Sequence, residues 1–197
     1  MHRGSLLLAV PLVLLYQVAL AQQPPPRGTA SFEPPPSLAE DAPLTAQTFV
    51  IRAAIVNIME MDLADLALSR SHQENVKAYA QKMRDEHWRA QEKLRSVAGD
   101  MKIALPAMAD KKHEDVKVAL KRAPADEFDA GYIKAIVSGH DDAVALFDGA
   151  ATAKTLPQPL RSYASDLLPM VRKHRDAAYA LQSSSSAVGQ TPGKEQR

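Results

Sequence analysis

Glu60, His87, His140 and His174 are the residues of this chain whose types and spacing could do chemistry. Each interrupts an apolar stripe that repeats at alternating steps of three and four, the spacing of one helix face. The first stripe reads Phe49, Ala53, Val56, Glu60, Leu63, Ala67, and the second Val76, Ala80, Met83, His87, Ala90, Leu94, Val97. The third reads Ile133, Ile136, His140, Ala143, Phe147, Ala150, and the fourth Leu160, Ala164, Leu167, Val171, His174, Ala178, Leu181. One ionisable group per helix therefore falls on a face that should be buried.

An unpaired carboxylate or imidazolium in an apolar seam is costly, so these groups must bond one another, hold an ion or open a wet cavity. One carboxylate with three neutral imidazoles suits a borderline ion such as Zn, Cu, Fe, Mn or Ni, and helical bundles build such sites in their cores. The competing interpretation is a buried polar network, with Glu60 charge-paired to a histidine, that fixes helix register and binds nothing. A di-iron centre needs Glu-x-x-His on two helices. The residues three before the histidines are Arg84, Val137 and Val171, so that motif is absent. Glu86, Asp141 and Asp142 adjoin the histidines but are turned about 100° away on a helix. They are expected to orient the cluster or to face solvent.

Four long helices must position this set. The first is expected from Thr45, an N-cap with Leu44 and Phe49 spaced as a hydrophobic staple, to Ser71. The second runs from Gln73 to Ala98 and stops at Gly99; the third runs from Asp126, just after Pro124, to Thr152. The fourth opens at Pro157–Pro159 and ends at Leu181, with a kink expected at Pro169. A short amphipathic piece over Asp110–Lys121 lies in the connection between the second and third, which is long enough for a crossover. The short connections make the first pair and the last pair antiparallel neighbours. No strand-like alternation occurs, so the fold expected is all-α: an antiparallel four-helix bundle with one short extra helix. If the two short turns share one end, the four ionisable groups fall within roughly 10 Å in height, at about 1.5 Å per residue.

Composition limits the alternatives. The 197 residues hold no cysteine, which excludes disulfides, thiol catalysis and thiolate metal sites. They are 46% hydrophobic but only 5% aromatic, a mix of Ala, Leu, Val, Ile and Met that favours helices. Residues 1–21 have the form of a secretory signal: His2 and Arg3, an apolar run Leu6–Leu15, and Ala19-Leu20-Ala21 before the cleavage point. Export to the periplasm is expected, with no spanning segment after cleavage. Of 24 basic and 23 acidic residues, Arg3 leaves with the signal. The remaining balance gives no footprint for nucleic acid or anionic lipid. Residues 22–43, with two Pro-Pro-Pro runs, form an extended leader; 44–181 form the domain, and 182–197 a solvated tail.

Other features carry less chemistry. Met59, Met61, Met83 and Met170 could offer thioethers to Cu(I), but core packing explains their spacing. His72 and His113 are expected to be exposed, and Tyr79, Trp88, Tyr132 and Tyr163 to serve packing or grooves. The run Lys111-Lys112-His113-Glu114-Asp115 is mixed in sign, as on a solvated face. No phosphate loop, nucleophile elbow or His-Glu-x-x-His is present, so an enzyme is not indicated.

Phe49-Val50, Glu60, Val76-Lys77-x-Tyr79-Ala80-x-x-Met83-x-x-Glu86-His87, Phe128-Asp129-x-x-Tyr132, His140-Asp141, Leu146-Phe147 and Leu168-Pro169-x-x-x-x-His174 follow one another in a distinctive order. Together they resemble the bacterial domain-of-unknown-function family 4142 over about Leu44–Leu181. The resemblance implies an exported protein grouped with the ferritin-like four-helix bundles. Two functions are compatible with these residues: a periplasmic metal-binding bundle using Glu60, His87, His140 and His174, or a non-catalytic envelope or stress protein that binds a protein partner and whose core cluster is structural.

Overall fold

The computed structural model describes residues 37–39 and 42–188. The signal-peptide expectation, the leader up to residue 36 and the tail beyond residue 188 lie outside the described residues. Five helices and no strand occur among them: α1 Ala46–Arg70, α2 Glu74–Asp100, α3 Lys111–Arg122, α4 Ala125–Thr152 and α5 Gln158–Val188. No described helix is long and apolar enough to cross a membrane.

Local chemistry sets the boundaries. Thr45 caps α1: its hydroxyl accepts from the Thr48 N–H at 3.1 Å, and Thr48 Oγ1 accepts from the Thr45 N–H at 2.8 Å. Two otherwise orphaned donors are thus satisfied, as the capping rule requires. The end of α2 is set by Lys102 rather than Gly99. Lys102 takes φ 58°, its N–H bonds the Gly99 carbonyl, and the Ile103 N–H bonds Ala98. Those two bonds make a Schellman termination, built on a lysine where glycine is usual. Asp110 caps α3 by accepting from the His113 N–H. Arg70, at the last turn of α1, donates to the carbonyls of Leu120, Lys121 and Ala123 and so closes the other end of α3. Helix α5 continues through Pro169 and ends at Val188 rather than Leu181. The Ser183 and Ser184 hydroxyls bond the Tyr179 and Leu181 carbonyls there, and no Gly or Pro intervenes before Gly189.

The four long helices pack side by side, and α3 lies against α1 and α4. Asp65 meets Arg84 and Asn57 meets Gln91, so α1 and α2 run in opposite directions. Asp148 with Arg172 and Asp141 with Tyr179 show the same for α4 and α5. The two short turns do not share one end. Gln73, in the first turn, bonds Asp129 near the start of α4. Phe49, at the start of α1, stacks edge-on to Phe147 near the end of α4. The second turn is therefore at the opposite end, and the connection carrying α3 travels the length of the bundle. The histidines still share a level because they lie near mid-helix. Glu60, His87, His140 and His174 stand roughly 12 to 16 residues from the end that holds Ala46, Asp100, Thr152 and Gln158, a spread of about 6 Å.

The core divides at that level. One apolar cluster, around Leu63, Val76, Met83, Phe128 and Tyr132, fills the half near the first turn. A second, around Phe49, Leu94, Phe147, Leu160 and Tyr163, fills the other half.

Candidate metal centre

Between the two apolar clusters lies a polar layer. α1 supplies Asn57 and Glu60, α2 supplies His87 and Gln91, α4 His140 and α5 His174, all 6% exposed or less. The three imidazole centroids are 5.4, 5.6 and 5.8 Å apart. One potential ligand atom from each histidine lies within 4.8 Å of the others. Around an ion with metal–nitrogen bonds near 2.1 Å, tetrahedral ligands sit roughly 3.4 Å apart, so a bound ion draws the rings inward by about 1 Å.

Each histidine uses one ring nitrogen on an outer partner, and those partners fix the tautomers. His140 Nδ1 lies 3.0 Å from the Ile136 carbonyl, which only accepts, so Nδ1 carries the proton. His87 Nδ1 is 3.0 Å from Asn57 Oδ1, while the Asn57 amide donates to Gln91 Oε1 at 3.0 Å; His87 Nδ1 therefore donates. His174 Nε2 donates to the Glu86 carboxylate. What remains is a bare lone pair on His87 Nε2, His140 Nε2 and His174 Nδ1. All three atoms are buried and none has a hydrogen-bond partner. Buried polar groups are nearly always paired, so three unpaired nitrogens at one level form an unusual concentration of unmet demand.

Electrostatics keeps the lone pairs of His87 and His174 free. Burial holds the His87 pKa well below the ordinary histidine value, and repulsion from His140 and His174 adds to it. Burial also pushes His174 down to about 4, against the opposing pull of its bond to Glu86. Both are neutral imidazoles at neutral pH, the form that binds metals.

Glu60 takes a different place from the one its spacing suggests. Its Oε1 is 3.4 Å from His140 Nδ1, the edge of that ring already bonded to Ile136, and it is outside the group of converging ligand atoms. The structure thus brings together three of the four expected ligands and sets Glu60 behind one of them. Burial raises the Glu60 pKa, with the His140 and His113 charges opposing. Its Oε2 and the nearby Tyr132 hydroxyl are buried without partners. Glu86 orients His174, as one of the two roles expected for it. Asp141 accepts from Tyr179, and Asp142 lines a cavity of about 500 Å³ between α1, α4 and the start of α3.

Asn57 and Gln91 are the residues that sequence reasoning missed. The stripes counted Val56 and Ala90, their neighbours; Val56 is only half-buried, whereas Asn57 is 1% exposed. A signal existed, because Asn57 is one turn before Glu60 and Gln91 one turn after His87. Met59 and Met83 are core residues. Trp88 is not a packing residue: it is 58% exposed. His113 is half-buried against Asp110 rather than free in solvent, while His72 is exposed as expected.

A crystal structure of a DUF305 fragment from Deinococcus radiodurans has a similar fold, with a TM-score of 0.63 at 16% identity, covering 76% of this chain and 99% of that one. No curated protein matches the sequence. The family described as a domain of unknown function, DUF4142, matches residues 32–181, which take in the described helices as far as Leu181 and every residue of the histidine layer. The chain belongs to the DUF4142 family.

Proposed function

We propose that this protein is an exported, periplasmic helical bundle that binds a transition-metal ion through His87, His140 and His174. In this reading the fold is an antiparallel four-helix bundle of ferritin-like type, with one long crossover that carries α3. Glu60 stands with Glu86 and Asn57 in the shell that orients the ligands. The observation that carries the reading is the set of three buried, unpartnered ring nitrogens, each with its tautomer fixed by a bond on the opposite edge. Outer bonds of this kind are what metal-ligating histidines require. Those nitrogens pair neither with one another nor with the Glu60 carboxylate. Three neutral nitrogen donors suit Zn, Cu, Fe or Mn as a bound or buffered ion. The proposed activity is binding.

The test is metal analysis of protein purified without a histidine tag, beside a His87→Ala/His140→Ala double variant. Near-stoichiometric metal in the wild type and its loss in the variant is the expected result. Equal, sub-stoichiometric metal in both refutes the proposal.

A further inference from the structure

We infer that the histidine site is built for a divalent ion and discriminates against monovalent ones such as Cu(I) or Ag(I), through two outer carboxylates. This rests on the metal-binding proposal above. Three neutral imidazoles carry no charge, so by themselves they would leave a buried cation uncompensated. The surrounding apolar halves of the core offer nothing to offset it. Two carboxylates do stand behind the rings. Glu86 accepts from His174 Nε2, and Glu60 lies 3.4 Å from His140 Nδ1. Each contacts the ring edge facing away from that histidine's unpartnered nitrogen, so each acts on the ion through the imidazole rather than by ligation. His87, the third ring, has the neutral Asn57 instead. A divalent cation gains twice the Coulomb energy of a monovalent one from these two carboxylates, a difference that outlasts both the burial opposing ionisation of Glu60 and the Lys82 charge near His174.

The two carboxylates differ in solvent access. Glu60 is 4% exposed at its side chain and its Oε2 has no partner, so its charge has little water to screen it. Glu86 is 29% exposed at its side chain while touching a fully buried histidine. Glu86 therefore contributes less per unit charge than Glu60, because water screens it.

The inference is tested with Glu60→Gln and Glu86→Gln. Both keep side-chain size and an accepting oxygen, so tautomers and packing are retained while the charge goes. Zn²⁺ and Ag⁺ affinities are measured by competition titration for wild type, both variants and His87→Ala. Loss of an outer partner of a metal-bound histidine costs about 10–100-fold in affinity. Coulomb energy scales with ion charge, so the Ag⁺ loss should be about the square root of the Zn²⁺ loss, roughly 3–10-fold. The expected result is a Zn²⁺/Ag⁺ preference that falls in both variants, more steeply for Glu60→Gln. If Glu60→Gln does not fold, the partly exposed Glu86→Gln carries the test alone. An unchanged ratio, with Zn²⁺ still bound by wild type and lost in His87→Ala, overturns charge compensation and leaves metal binding standing. Zn²⁺ bound equally by wild type and His87→Ala overturns both.

Discussion

Replacing His174 with Leu separates a metal site from a structural network, because the two make opposite predictions for the metal-free protein. His174 is fully buried, its Nδ1 has no partner, and its Nε2 bonds Glu86. An unsatisfied buried polar atom costs about 1–3 kcal/mol, which Leu removes. Glu86 loses its histidine but, at 29% side-chain exposure, can turn to water. A size-matched apolar swap gives back less than about 1.5 kcal/mol in packing mismatch. The net expectation is stabilisation of the chelator-treated protein by about 1–2 kcal/mol. For a domain of this size that is a rise in Tm of about 3–6 °C, taking about 3 °C per kcal/mol. With Zn²⁺ at a hundred times its Kd the order inverts: wild type gains about 2.7 kcal/mol and the variant gains nothing. Thermal denaturation followed by circular dichroism, with chelator and with Zn²⁺, reads both effects. His174→Met, whose side chain adapts to irregular space, guards against an unlucky Leu fit. If both substitutions lower the metal-free Tm by several degrees, Nδ1 is not an unmet demand and the reasoning fails.

Further expectations follow from other parts of the structure. The metal-free protein should lose stability on acidification from about pH 6.5 toward pH 4. His87 and His174 have folded pKa values below the unfolded one, so the unfolded chain binds more protons there and stability falls with pH. Glu60, shifted upward, opposes this: its contribution is full below its unfolded pKa and fades as pH rises through its folded one. With two histidines against one carboxylate, the urea midpoint should drop between pH 7 and pH 5, and a rise would contradict the assignment. Lys102→Gly should stabilise by roughly 0.5–1 kcal/mol in urea titration, since relief of the left-handed backbone outweighs the added freedom of the unfolded chain. Arg70→Ala should expose the α3 carbonyls of Leu120, Lys121 and Ala123 and lose the Phe128 stacking at 4.7 Å. Hydrogen exchange should then speed up in α3 before it does in α1 or α2, and uniform acceleration would show that α3 does not open separately.

The sequence by itself determined which segments are helical and which residues face inward, because both depend on spacing along one chain. Thr45 as a cap, the amphipathic α3 and the interruption of each stripe by one ionisable group can all be seen at three-to-four spacing. Its limits were also local. Lys102 ends α2 because of two hydrogen bonds that no composition rule predicts for lysine, and serines carry α5 beyond Leu181 because they bond back to the preceding turn. Only the tertiary structure decided where the four groups sit relative to one another. Direction of packing is set between helices, so spacing could not tell that the short turns lie at opposite ends, nor that mid-helix placement keeps the histidines level regardless. Nor could it orient side chains. A shift of one residue around a helix turns a group by about 100°. That rotation puts Asn57 rather than Val56 in the polar layer, and Glu86 against His174. Glu60 shares the stripe geometry of the histidines, yet its longer side chain ends at the far edge of His140. The sequence places it in the seam; the packing of α1 against α4 sets its carboxylate behind His140, outside the converging ring nitrogens.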